Sequence, residues 1–248
     1  MLGKLIANDI FKQKRTKLLL IIIAIPILTS LMLAVDLDIR YKEYLYPLAL
    51  KKGITSWQML LHEQRLVFFK EYLPLFGAMI ISSIFDNEYK NNGWTLELTF
   101  PVSREKIIIS KFITSLIFMA TMLIVNIISL ILVGKFAGFP EAVEGMYFVK
   151  MFLIQFIALA SVMTIHLYLT IKNRNTLISI ITAGCICIVS SDLYYKGSSI
   201  SKFNPYSFAS FSDGLNNVNI TLIVIVALIL MFAGLIYTLR YFKKKQCY

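Results

Sequence analysis

The groups with which this chain could do chemistry are two histidines, His62 and His166, three cysteines, Cys185, Cys187 and Cys247, and 14 acidic residues. Their spacing excludes most such chemistry. The histidines lie on different segments, and no H-E-x-x-H run sets two of them on one helical face around zinc. No Ser–His–Asp set is apparent, and no pair of acids sits mid-way along an apolar run. No G-x-x-x-x-G-K-[ST] loop is present to cradle nucleotide phosphates. Cys185 and Cys187 are two residues apart in an apolar run, so a helix turns them to different faces; they read as small apolar filler, with no metal pair or disulfide framework. His166, also in an apolar run, has two readings: a proton-linked site or a hydrogen bond between packed helices. Asn126, Gln155, Ser82, Ser83 and Thr164 read as contacts between helices. No catalytic residue and no metal ligand is expected.

One polar stretch remains, DNEYKNNGWTLELTFPVSREK from Asp86 to Lys106. Read as a helix from Asp86 to Leu98, it sets Asn91, Thr95 and Leu98 on one side, with Tyr89 and Trp94 elsewhere around it. Glu88, Lys90 and Glu97 supply polar contacts. An exposed aromatic held between two rigid helices is a docking peg for a soluble partner, because aromatic anchors dominate interface energetics. Arg104, Lys106 and Lys111 suit phosphates of lipid or acids of that partner. The other reading is a solvated loop whose lysines only orient the chain. The residues by themselves leave both open.

The elements that must position these residues are six long apolar stretches, beginning near Leu18, Phe68, Ile107, Met146, Thr176 and Ile220. About 20 apolar residues make a helix long enough for the ~30 Å hydrocarbon core of a bilayer. Hydrophobic residues are 58% of the chain and mean hydropathy is +0.72, so lipid is the solvent for most of it. The sequence therefore predicts an all-α integral membrane protein with six transmembrane helices, one domain over 1–248. The apolar run after the N-terminal charges is long and no A-x-A pattern follows Val35, which favours a retained span over a cleaved signal. Residues 1–17 read as an interfacial amphipathic helix, with Leu2, Leu5, Ile6 and Ile10 at helical spacing. Segment 86–106 is the polar connection between spans two and three.

The net charge of +11 would suggest nucleic acid in a soluble protein; here it is sorted by side. Lys4, Lys12, Lys14, Arg15 and Lys17, then Lys90, Arg104, Lys106 and Lys111, then Lys172 and Arg174, then Arg240 and Lys243 to Lys245 all fall on one side, with few acids. The positive-inside rule puts that side, and both termini, in the cytoplasm of a multi-pass plasma-membrane protein with no nucleic-acid partner. Segments 36–67 and 195–219 are then external loops. The first ends in an amphipathic helix from Ser56 to Phe68 carrying Trp57, Leu60 and Leu61, and the second carries Tyr195, Phe203, Tyr206, Phe208 and Phe211, aromatics suited to an interface. Lys70 and Glu71 sit at a helix end where charge is tolerated. Near-absence of charge inside the spans disfavours a proton- or sodium-coupled transporter, so any work must be powered from elsewhere.

Glu88, Asn91-Asn92-Gly93-Trp94-Thr95, Phe100-Pro101-Val102-Ser103-Arg104, Ile107 to Ser110 and Lys111 resemble the run joining spans two and three in ABC transporter permeases of the type-2 exporter class. The small permeases of lantibiotic-immunity and bacitracin-resistance exporters are the most similar in size and texture. The sequence departs from the pattern at Trp94, where many relatives carry threonine or a smaller residue. The resemblance implies that 86–98 is a cytoplasmic coupling helix seated in a separate ATP-binding cassette subunit, which holds ATP and Mg, so this chain is no enzyme and carries no cofactor. It implies ATPase contacts from Glu88, Lys90, Asn91, Asn92, Gly93, Trp94, Thr95, Glu97, Pro101, Ser103 and Arg104. It implies a second permease subunit, identical or different, and export of an antimicrobial peptide for immunity. Trp57, Tyr206, Phe208, Phe211, Asn126 and His166 are the residues expected to face substrate. A non-transporting immunity or sensor protein that binds peptide through its outer loops is the alternative.

Overall fold

The computed structural model describes residues 2–14, 16–90, 93–94, 101–213 and 218–244. All regular structure among them is helical. Helix α1 covers Leu2–Gln13, α2 Leu18–Arg40, α3 Tyr46–Lys52, α4 Ser56–Glu63 and α5 Phe69–Lys90. Helices α6 Arg104–Phe136, α7 Gly145–Asn173, α8 Thr176–Tyr195 and α9 Ile220–Lys244 follow. Two 3₁₀ segments, Ser199–Lys202 and Pro205–Asp213, lie between α8 and α9. Five helices are long and apolar enough to cross a membrane by themselves, and a bent pair, Ser56–Val67 with Phe69–Lys90, makes a sixth.

Helix α5 stands at the centre, against α6, α7 and α8; α2 lies on α6, and α9 lies on α7. The main core is built where these meet, from Leu73, Ile81, Phe85, Met119, Leu159 and Met163 among others. The outer helices keep apolar faces uncovered, such as Leu28 and Met32 on α2, Ile181 and Ile188 on α8, and Ile229 and Phe232 on α9. Such faces are stable only against lipid or another apolar surface. Trp94 stacks near Phe242 of α9, and Glu105 pairs with Lys243 at 3.3 Å, so α1, the end of α5, the start of α6 and the end of α9 share one end of the bundle. That end is called the near end below and the other the far end.

The first external segment is not the loop expected between residues 36 and 55. Helix α2 continues through a π-helical turn, Tyr41–Leu45, into α3, giving one helical run of 35 residues from Leu18 to Lys52. At 1.5 Å per residue that is about 50 Å, well beyond a ~30 Å hydrocarbon core. The charges that suggested a loop are paired: Arg40 makes two hydrogen bonds to Asp36, at 2.7 and 2.6 Å, and one to Glu63 at 2.9 Å. The opposite face is an apolar stripe of Leu33, Leu37, Tyr41, Leu45 and Ala49, every fourth residue and all buried. A strict step of four drifts by about 40° per repeat around an α-helix of 3.6 residues per turn. The wider π turn takes up the drift and keeps the stripe on α4 and α6. Gly53, at φ 64°, then ends the run, and a capping box of Thr55 and Gln58 starts α4.

The second external segment, 195–219, is likewise ordered over its described part: Tyr206, Phe208 and Phe211 are buried against α5, α7 and α8. Helix α1 forms where amphipathic spacing predicts it, but its most buried residues are Asp9 and Gln13, on a face turned to α6.

Candidate functional site

Among the described residues, four charged groups from three elements meet at the near end. Glu88, at the end of α5, is 2% exposed, and its Oε1 accepts from Lys12 Nζ at 2.9 Å and Lys111 Nζ at 2.8 Å. Lys111, on the first turns of α6, is completely buried and also donates to Asp9 Oδ1 of α1 at 3.2 Å. Asp9 Oδ2 accepts from Ser110 Oγ at 2.6 Å. Among the described residues the cluster brings two carboxylates and two ammonium groups together, largely away from water. Losing one member strands its partner, at a cost of about 3–5 kcal/mol for a buried pair. The cluster therefore fastens α1, α5 and α6 into one block.

Trp94 completes the block. It is 3% exposed, with its ring among Phe85 (5.8 Å between centroids), Tyr89 (6.1 Å) and Phe242 (5.4 Å), and the Lys111 ammonium lies over it at 5.7 Å. The exposed peg expected at this residue is thus corrected: burial against aromatics from both ends of the chain outweighs exposure in a polar stretch. Residues Asp86 to Lys90 are the last turn of α5 rather than part of a separate helix. Gly93 lies so close to Glu88 that a Cβ there would collide with the carboxylate. Of the expected docking residues, Lys90, Pro101 and Ser103 are exposed and Arg104 is half-buried, while Glu88 and Trp94 support them from within. Asn91, Asn92, Thr95 and Glu97 lie outside the described residues. Lys111, which by its sequence position suits phosphates or a partner's acids, meets Asp9 instead. Their pairing spans 102 residues, and no local signal carries it.

The matched family is decisive at this point: the family described as ABC-2 family transporter protein matches residues 5–191. The chain belongs to this family. No curated protein matches it. The chain is accordingly the membrane component, a permease, of an ABC transporter, and membership implies an ATPase partner and a membrane setting.

The permease has a cavity of about 540 Å³ at the near end, between α2, α5 and α8. Leu18, Ile21, Ile22, Phe76, Met79 and Ile80 make it apolar, and Asp86, Lys90, Arg174 and Asn175 give it a polar rim. None of the residues expected to face substrate lines it. Trp57 is buried against Phe139 and Phe148, with its Nε1 donating to the Glu141 carbonyl at 3.1 Å. Asn126 accepts from Gln64 Nε2 at 3.2 Å, buried between α6 and the 3₁₀ turn Gln64–Val67. Phe208 and Phe211 pack into the main core. His166 and Tyr206 meet: the Tyr206 hydroxyl is 2.8 Å from Nε2 and the Ser179 hydroxyl 3.0 Å from Nδ1. Burial pushes the Tyr206 phenol well above its usual range, so it stays neutral. A neutral imidazole has one donor and one acceptor, and these two hydroxyls satisfy both. The helix-packing reading of His166 accounts for this geometry, and all six side chains expected to face substrate are buried. Ser82, Ser83 and Lys90 line the cavity too, though their sequence positions suggest other roles, and its apolar residues went unread because Phe76, Met79 and Leu177 look like any other apolar span residue. Among the described residues no group of three His, Cys, Asp or Glu could hold a metal ion.

Proposed function

We propose that this chain is one permease subunit of an ATP-driven exporter, that the near end is cytoplasmic, and that a separate ATPase docks there on Lys90, Pro101, Ser103 and Arg104. The observation that carries this reading is the buried charge cluster of Asp9, Lys12, Glu88 and Lys111. A segment pushed by an ATPase moves a permease only if the push is not lost in local bending. Fastening the end of α5 to α1 and α6 makes the docking surface a rigid handle on the central helix. A second permease subunit, a copy or a homologue, covers part of the apolar surface left on α2, α8 and α9. The substrate is an amphipathic antimicrobial peptide of the lantibiotic or bacitracin kind, expelled from the membrane for immunity. The apolar cavity with a charged rim fits a ligand that is part greasy and part polar.

The test is co-expression with a cognate ATPase. Lys90→Glu alters a side chain that is exposed and costs the fold little, so its expected effect is weaker ATPase co-purification with unchanged permease yield. Undiminished recovery of ATPase with both Lys90→Glu and Arg104→Ala would refute docking at this end. Cells making the pair should survive more lantibiotic or bacitracin than cells whose ATPase cannot hydrolyse ATP; equal survival sinks the peptide part of the reading. The alternative, peptide capture without transport by an outer surface of Tyr44, Tyr46, Tyr206 and Phe211, loses Tyr206 and Phe211 to burial, while Tyr44 is exposed and Tyr46 half-buried.

A further inference from the structure

The far end holds a second buried charged group that the transport reading leaves unused. Lys70 is 2% exposed and donates to Asp213 Oδ2 at 2.6 Å and to the Leu61 carbonyl at 3.2 Å. Its neighbour Glu71 is 3% exposed. Glu71 Oε1 accepts from the Tyr195 hydroxyl at 2.7 Å, and Oε2 is buried with no hydrogen-bond partner among the described residues. Both residues line a cavity of about 220 Å³, closed by His62, Arg65, Tyr194, Tyr195 and Asp213. The cavity sits where the second span bends by 61°, at Phe68, which holds a left-handed φ of 51°. Strained backbone of this kind in a non-glycine residue gathers at binding sites.

Glu71 and Asp213 are two buried carboxylates on the cavity's wall; Lys70 pairs with Asp213, and Arg65 stands at the rim. Glu71 keeps a buried oxygen that receives no donor among the described residues, and a small cation that carries N–H groups would supply one. The tyrosine rings of Tyr194 and Tyr195 are suitable walls for it. Arg65 is exposed at the rim and can take an anion attached to that cation. Leu66 and Phe68, both exposed beside it, offer apolar surface for hydrocarbon. We propose that this cavity binds the phosphoethanolamine headgroup of a membrane lipid, with the ammonium on Glu71 and the phosphate on Arg65. The site needs only that the chain be embedded in a bilayer, so it stands apart from any choice of transported substrate.

The experiment uses the full chain purified in detergent and titrated with dihexanoyl phosphatidylethanolamine, read by native mass spectrometry and thermal melting. The expected result is saturable binding that is weaker by about tenfold or more for the phosphatidylcholine analogue, whose methyl groups remove the ammonium's N–H donors. Glu71→Gln, which keeps the shape and the bond to Tyr195, should lose about tenfold in affinity. Should that variant fail to fold, Arg65→Gln at an exposed position should lose a similar, roughly tenfold, amount with no drop in melting temperature. Equal binding of the two lipids, or affinity unchanged in whichever variant folds, overturns the proposal. So does binding of a lysine tripeptide without binding of the lipid, which would hand the cavity to a peptide amine.

Discussion

Lys111 is the residue on which most at the near end turns. It donates to two carboxylates, one 102 residues before it and one 23 residues before it, and it covers the face of Trp94. Lys111→Met should therefore destabilise the protein by about 3–5 kcal/mol, seen as earlier thermal melting, whereas Lys90→Met on the exposed rim should change melting little. Adding Glu88→Gln and Asp9→Asn to Lys111→Met should recover part of the loss, since no carboxylate is then left buried and unpaired. Glu88 was legible as important from its place in the polar stretch. Its role was not, because a lysine and an aspartate far off in sequence decide whether it is a surface contact or an interior brace. His166 shows the converse. A lone intramembrane histidine invites a functional reading, and two hydroxyls from α8 and the 205–213 segment convert it into packing. His166→Phe should lower stability by about 1–3 kcal/mol by stranding those hydroxyls, and leave the pH profile of transport where it was.

At the scale of elements, the apolar runs marked the spans well, because a helix in lipid must be apolar over its whole length. Ends were less legible. The helical run to Lys52 crosses a charged segment that reads as loop, and only the stripe at every fourth residue from Leu33 to Ala49 betrays it. A π turn behaves as one extra residue held in an otherwise continuous helix. Deleting Glu43 from it should therefore leave the stripe before and after in register and the protein folded. Deleting Val35 from the plain α part should turn everything beyond it by about 100° and drive Leu37 and Tyr41 off α6. Expression level and melting temperature of the two deletions make the comparison. Helix contact points are equally exacting. A Cβ at Gly134 would enter the Trp57 ring, and one at Gly234 would meet Thr164. Gly134→Ala and Gly234→Ala should each lower stability by about 1–3 kcal/mol, loosening α4 from α6 and α9 from α7.

For the molecule as a whole, sorting of charge predicted that both termini share a side, and the bundle brings them to one end, α1 lying on α6 and the end of α9 meeting Trp94 and Glu105. Which side faces the cytoplasm is a matter for labelling. A single cysteine at Lys202→Cys should react with an impermeant maleimide on intact cells, and one at Lys243→Cys only after permeabilisation. The reverse pattern would invert the topology. The two ends of the bundle also differ in a way that composition hides. Among the described residues, the Glu88 carboxylate at the near end receives two ammonium donors, whereas Glu71 at the far end keeps an oxygen without one. Scarcity of ionisable residues in the apolar runs was read correctly from the sequence, yet their gathering at the helix ends was not, because Lys70, Glu71 and Asp213 come together only when α5 and the 205–213 segment meet.

The link between Asp9 and Lys111 also bears on how the chain is born. Helix α1 leaves the ribosome 102 residues ahead of the lysine that receives it, a lag of ~5–20 s at ordinary rates of synthesis. During that interval two spans are being inserted while Asp9 has no ammonium to meet. The first helix must wait, wetted at the bilayer surface, until the third span arrives to claim it, so the brace that stiffens the finished protein is also a late step in its biogenesis.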